Sequence, residues 1–163
     1  MKTRFFLNSK LLITICLFTS FTLADAQNIS EKTEVKLNKL QTIMERATLD
    51  GKLLSIVKYY ADDVIIMPGF NPAIKGKDAL SEAYKRDIDQ KLKYHSFSGN
   101  VEKRWQNGNE IFERGTFGMA VSSKNSVKPK AYYGSYFQIW NVESDDNIKI
   151  SFVIWNLDFN PCE

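Results

Sequence analysis

Histidine occurs once and cysteine twice in the 163 residues. That scarcity leaves no Cys/His cluster with zinc-ligand spacing and no Ser-His-Asp order that would define a hydrolase triad. No glycine-rich string of the kind that cradles phosphate occurs, so no metal and no cofactor is implied. Cys16 sits inside an apolar run behind Ile15, where a lipoprotein site would need a small residue. Cys162 is next to the last residue. Cys16 falls in an N-terminal segment expected to be removed, and Cys162 alone cannot close an internal bridge, so the fold is expected to stand without a disulfide. Cys162 reads as a frayed thiol, with an intermolecular bridge as the alternative. Neither charge sign dominates: 22 Lys+Arg face 19 Asp+Glu. Three of the basic residues, Lys2, Arg4 and Lys10, fall in the first ten positions. The remainder is close to neutral, which gives no reason to expect nucleic acid as a partner.

Only one long apolar run exists, from Leu11 to Phe21. With its basic start and the small residues of Ala24-Asp25-Ala26, it reads as a signal peptide cleaved between Ala26 and Gln27. The chain is therefore expected to be exported, to the periplasm or beyond. The run is shorter than the about 20 residues of a permanent span, and a retained N-terminal anchor is the alternative. The expected organisation is a signal peptide over 1–26, a leader over 27–31 and one domain over 32–160. No stable membrane insertion is expected after cleavage.

Within the domain, Ser30 to Glu34 offers an N-cap and early acids. Val35, Leu37, Leu40, Ile43, Met44 and Ala47 then form a helical stripe, ended by Asp50-Gly51. A second short helix is expected from Lys52 to Tyr60, and Ala61-Asp62-Asp63 as a turn. Val64 to Met67 reads as a strand, broken by Pro68-Gly69-Phe70-Asn71-Pro72. A third helix is expected over Lys77 to Asp89. From Lys93 the apolar period changes to two. Four strands are expected: Tyr94 to Gln106, Glu110 to Val121, Lys130 to Val142 and Ile148 to Phe159. Asn107-Gly108 marks a hairpin. Ser144 to Asn147 marks another turn, and Ser122 to Pro129 a longer basic loop. Helices followed by an antiparallel meander, with the helices covering one sheet face, is an α+β plan.

The order of these elements, with several short strings, resembles the nuclear-transport-factor-2-like superfamily and its SnoaL-like members. The strings are Tyr59-Tyr60-Ala61-Asp62-Asp63-Val64, Lys75-Gly76-Lys77-Asp78-Ala79-Leu80, Glu113-Arg114-Gly115-Thr116-Phe117, Tyr133-Gly134-Ser135-Tyr136 through Trp140, and Ile148-Lys149-Ile150 with Trp155-Asn156. The resemblance covers nearly all of 32–159. It implies three N-terminal helices packed on a strongly curved, mostly antiparallel sheet, a cone-like fold with an internal pocket, often dimeric. Isomerases, cyclases, dehydratases and non-catalytic binders share that fold, so fold does not settle function. Met67 stands where isomerase-like members would carry a catalytic carboxylate. Only His95 is available for the His-Asp dyad of dehydratase-like members.

Alternation sorts the candidate residues. Ile111, Glu113, Gly115, Phe117, Met119 and Val121 share one face of their strand. Glu113 is thus a carboxylate among apolar side chains. It is either a general acid or base, or a structural group paired with Arg, Tyr or Asn across the sheet. In the last strand Ile148, Ile150, Phe152, Ile154, Asn156 and Asp158 alternate with Lys149, Ser151, Val153, Trp155 and Leu157. Asn156 is expected in the pocket and Trp155 at a rim or dimer face. Asp62 and Asp63 read as turn formers, and His95 as a surface or satisfied core residue. The expected ligand is a small apolar or amphipathic molecule, walled by Met67, Phe70, Tyr84, Phe117 and Ile154 and anchored by Glu113 and Asn156. A homodimer through the sheet face is also expected. An acid/base enzyme using Glu113 and an interaction module using the exposed sheet face are the alternatives.

Overall fold

The computed structural model describes residues 28–144 and 147–158. The expected signal peptide, both cysteines, the Asp145-Asp146 turn pair and Phe159 lie outside them. Helix α1 spans Glu31–Leu49. Ser30 caps it, its Oγ accepting from the Thr33 N–H at 3.2 Å, and Gly51 closes it with φ 72°, where a side chain would strain. The helix has two seams. Leu37, Leu40, Met44 and Ala47 face the core. Glu34, Asn38, Gln41 and Glu45 recur three and four apart on a second face, and all are polar. Val35 and Ile43, expected in the apolar stripe, are exposed.

The second helix is shorter than expected. Helix α2 covers only Leu53–Ile56, followed by a 3-10 turn at Val57–Tyr59. Strand β1 then begins at once, Tyr60–Met67, so Ala61-Asp62-Asp63 is strand and not turn. Val64 and Ile66 are buried and Ile65 and Met67 exposed, a period of two, whereas Asp62 is exposed where the register against β6 shifts between Tyr60 and Ile65. A two-residue strand, β2 (Ile74–Lys75), pairs with β1, and helix α3 follows over Lys77–Asp89, as expected.

Strands β3 (Lys93–Asn107), β4 (Glu110–Ser123), β5 (Ser126–Ser144) and β6 (Asn147–Leu157) form an antiparallel meander. The sheet order is β2-β1-β6-β5-β4-β3, with β1 parallel to β6 and all other pairs antiparallel. The fold is α+β, as expected. The basic loop expected from Ser122 to Pro129 is instead a hairpin end, with Ser123 paired to Ser126. Leu37, Val64, Leu80, Ile111, Trp140 and Ile150 meet between helices and sheet and are essentially inaccessible. Each such side chain stabilises the fold by about 2 kcal/mol through removal from water.

Two irregularities decide which residues meet the helices. In β3, Val101 pairs with Gly115 but Lys103 with Arg114, so Glu102 is an extra residue. In β6, Phe152 pairs with Ile139 but Ile150 with Trp140, so Ser151 is extra. Its hydroxyl is tied to the Ile139 carbonyl at 3.3 Å and to Asn141 at 3.1 Å. Each bulge inverts the facing of everything beyond it.

Candidate functional site

The register lays Ile111, Glu113, Gly115 and Phe117 of β4 beside Trp140, Gln138, Tyr136 and Gly134 of β5, all on the helix-facing side. The unbroken register from the Asn107–Glu110 pair sets Arg104 on the same side, directly opposite Glu113, and the bulge at Glu102 lies beyond it. Glu113 is completely buried. Its Oε2 accepts from Arg104 Nε at 2.5 Å and from Trp140 Nε1 at 3.3 Å. Its Oε1 accepts from Gln138 Nε2 at 2.6 Å and Tyr136 Oη at 2.8 Å. Every neighbouring polar group is thus a donor aimed at one carboxylate.

Arg104, with 3% of its side chain exposed, spends its other N–H groups on α1. They reach Glu34 Oε1 at 2.6 Å, Asn38 Oδ1 at 2.5 Å and Gln41 Oε1 at 3.2 Å. Gln41 leans on Glu45 at 3.3 Å, and Glu45 takes the Gly99 N–H at 2.8 Å. The polar seam of α1 is therefore clamped to edge strand β3 through Arg104, and Arg104 is held by Glu113. Tyr136 remains a donor throughout, because burial and then the Glu113 charge raise its phenol far above the usual tyrosine value. A carboxylate whose oxygens are saturated and out of contact with solvent is built to position a helix. Proton transfer would need substrate within about 3 Å of it.

Seven residues were expected to line the pocket, and the structure divides them. Glu113 and Phe117 share the helix-facing side, where Phe117 meets Trp155 edge-on at 5.9 Å. Tyr84, on α3, faces the same interior, its hydroxyl 3.5 Å from that of Tyr60. Burial raises both phenols, that of Tyr84 strongly. Ile154 and Asn156 do not join them. The bulge at Ser151 turns them to the outer side of the sheet and turns Trp155 inward, the reverse of the expected facing. Met67 pairs with Ile154 on that outer side. Phe70 is 61% exposed at φ 67° in the turn after β1. Asp62 is bound to Lys77 at 2.9 Å, which lowers its carboxyl below the usual range, and His95 Nε2 lies 2.9 Å from Ser122 Oγ. Among the described residues no cluster of three or more His, Cys, Asp or Glu could hold a metal. No helix among them is long and apolar enough to cross a membrane.

Beyond Gly115, the helix-facing side changes character. Phe97 on β3, Phe117 and Met119 on β4, and Trp155 on β6 are only half-buried. They form an apolar wall that the helices leave partly open. Tyr94 also lies here; burial and then the Asp87 charge push its phenol up to about 12. The outer side of the sheet carries a separate apolar band. Trp105, Phe112 and Phe137 contact one another at 5.6–6.2 Å, and Ile139, Phe152 and Ile65 continue the band into β5, β6 and β1. The described residues form open clefts, two of which bear on the site. One, about 550 Å³, lies between the start of α1 and the β3 bulge and is lined by Glu34, Asn38 and Arg104. The other, about 460 Å³, lies over Gly118, Tyr133 and Thr116.

The fold has many relatives among solved structures. A ketosteroid isomerase-like protein from Erwinia carotovora atroseptica superposes with a TM-score of 0.69 at 14% identity, over 81% of this chain and 100% of that one. A nuclear transport factor 2 (NTF2-like) superfamily protein from Salmonella enterica does so with 0.62 at 9%, over 80% and 92%. A putative calcium/calmodulin dependent protein kinase II association domain from Xanthomonas campestris does so with 0.58 at 14%, over 75% and 85%. No family model matches the sequence, and no curated protein matches it. At these identities the likeness is one of fold.

Proposed function

From the nuclear-transport-factor-2-like fold, we propose that this is an exported, non-catalytic binding domain. It takes a small, largely apolar or amphipathic molecule between α3 and the helix-facing side of the sheet. The observation that carries this is the half-buried wall of Phe97, Phe117, Met119 and Trp155, an apolar surface beside a core that is otherwise closed. Apolar walls with few directed polar groups are how most ligand pockets are made. In the cone-like form of the fold this wall lines the internal pocket. The phenols of Tyr84 and Tyr94, kept protonated by burial, supply the donors. The saturation of Glu113 supports a structural carboxylate over a general acid or base.

A thermal-shift screen against apolar and amphipathic metabolites tests this. A ligand at 100 times its Kd adds about 2.7 kcal/mol of stability. It should also change the emission of Trp155, and Trp155→Phe should remove that optical change while keeping the thermal shift. A panel that moves neither signal sinks the reading.

A second reading concerns assembly and rests on the outer band. A homodimer would bury Phe112, Phe137, Ile139, Phe152 and Ile154 against their counterparts. The rim carries both signs, with Arg114 beside Glu102 at 3.8 Å, and Lys103 nearby, so a two-fold pairing is self-complementary. The Xanthomonas relative is described as an association domain. Ile154→Asp, at a site already 39% exposed, should convert a dimer to a folded monomer in sedimentation velocity. A wild-type monomer at micromolar concentration would refute the dimer.

A further inference from the structure

The end of the β4–β5 hairpin gathers lysines from β3, from β5, from the turn between β4 and β5, and from the α3–β3 connection. Lys93 on β3 begins beside Ser122, and Lys130 on β5 pairs with Val121. The Lys124 N–H binds the Gln90 carbonyl at 2.8 Å, which ties the hairpin end to the α3–β3 connection and to Lys91. Between Ser126 and Lys130 the β5 strand carries three residues opposite the single Ser122, so Val127, Lys128 and Pro129 bulge outward. Lys91, Lys93, Lys124, Lys128 and Lys130 are all exposed, and none makes an ion pair among the described residues. The acidic residues nearest in sequence to the Lys91 end of this corner are Asp87 and Asp89 at the end of α3, with Arg86 beside them. The corner is therefore strongly cationic in a domain that is otherwise near neutral. At its tip stands Val127, 83% exposed, the most exposed large apolar side chain described.

We propose that this corner docks on an anionic lipid surface, with the lysines against the headgroups and Val127 entering the interface. The lysines alone would suit any polyanion. The valine distinguishes the partner, because a nucleic acid or polysaccharide offers nothing to a protruding aliphatic side chain, whereas a headgroup boundary does. Each lysine held near an anionic leaflet strengthens binding by about fivefold, and the attraction fades within a Debye length of about 8 Å at physiological salt. The contact is peripheral and reversible, and it leaves both sheet faces free.

The test is vesicle flotation of the full chain with phosphatidylcholine alone or mixed with phosphatidylglycerol. Neutral vesicles read any contribution of the apolar N-terminal run. The excess on anionic vesicles reads the corner. Lys124→Gln with Lys128→Gln should weaken that excess by about 25-fold, and 0.5 M salt should abolish most of it. Val127→Ser should weaken it several-fold without changing the salt dependence. These side chains are solvated, so thermal stability should stay within about 2 °C. Equal binding to both vesicle types overturns the proposal, as does indifference to the lysine substitutions. If Val127→Ser has no effect on vesicles while heparin or DNA binds equally well, the partner is a soluble polyanion and the lipid assignment fails.

Discussion

The Arg104–Glu113 pair should behave as a single unit in equilibrium unfolding. Arg104→Met keeps much of the side chain's length and removes its charge. It leaves Glu113 fully buried with Tyr136, Gln138 and Trp140 as donors but no counter-charge, and it releases Glu34, Asn38 and Gln41 from the sheet. Breaking a buried pair from one side costs about 3–5 kcal/mol. For a domain whose total stability is about 5–15 kcal/mol, that is a large share. The melting temperature should fall by about 10–15 °C. Glu113→Gln should cost about 2–4 kcal/mol, since its amide would point a donor at donors. The two effects should not add. In the Arg104→Met background, Glu113→Gln should cost about 2 kcal/mol less than in the wild type, because the charge left stranded is the one removed. Urea melts of the four proteins, with m-values checked for constancy, give the coupling directly. Costs that add to within about 0.5 kcal/mol would refute the hub.

Two further outcomes follow from contacts and titration. A Cβ at Gly134 would overlap the Asn156 carbonyl oxygen and come within 2.7 Å of the Phe117 ring, so Gly134→Ala should cost about 3 kcal/mol in urea melts. Gly118→Ala, which meets only the exposed Tyr133 ring at 3.3 Å, should cost less than about 1 kcal/mol. The phenols of Tyr60, Tyr84, Tyr94 and Tyr136 are all raised, with burial the leading cause. The native state thus binds more protons than the unfolded chain above pH 10, and stability must fall as pH rises from there. Tyrosinate absorbance from these four should appear together with unfolding; their ionisation in a still-native protein would contradict their burial.

The helix and strand inventory was readable wherever a period ran long enough. Helix α3 and the four strands of the meander carry clear three-to-four or two-residue repeats. Glu113 stood out because it is a carboxylate in an apolar alternation, and a partner of Arg or Tyr type was among its readings. Arg104 was not found, because its partner depends on the hairpin register. The Gly108-Asn109 turn could have shown it: counting back from the Asn107–Glu110 pair sets Arg104 opposite Glu113. Choosing Asn107-Gly108 as the central pair moves each partner by two residues and would set Glu102 opposite Glu113. The polar seam of α1 was hidden for a different reason. Glu34, Asn38, Gln41 and Glu45 look like a solvated face, and only the buried guanidinium makes them a contact surface. Ala61-Asp62-Asp63 has turn composition, and it falls where the register of β1 against β6 shifts, between the Tyr60–Ile150 and Ile65–Phe152 pairs, so the chain stays extended there without regular pairing to β6.

The extra residue at Ser151 works like a frameshift in a code of two letters. Upstream of it, isoleucines at even positions read "inside"; downstream, the same parity reads "outside". Tolerance to substitution along this strand should therefore change phase at one point, with charge accepted at 154 and 156 but not at 148 and 150. Deleting Ser151 would not shorten the strand so much as exchange its two surfaces, sending Trp155 out to the solvent side and Asn156 into the interior. One serine, tied down by its hydroxyl, thus keeps two sets of side chains from trading places.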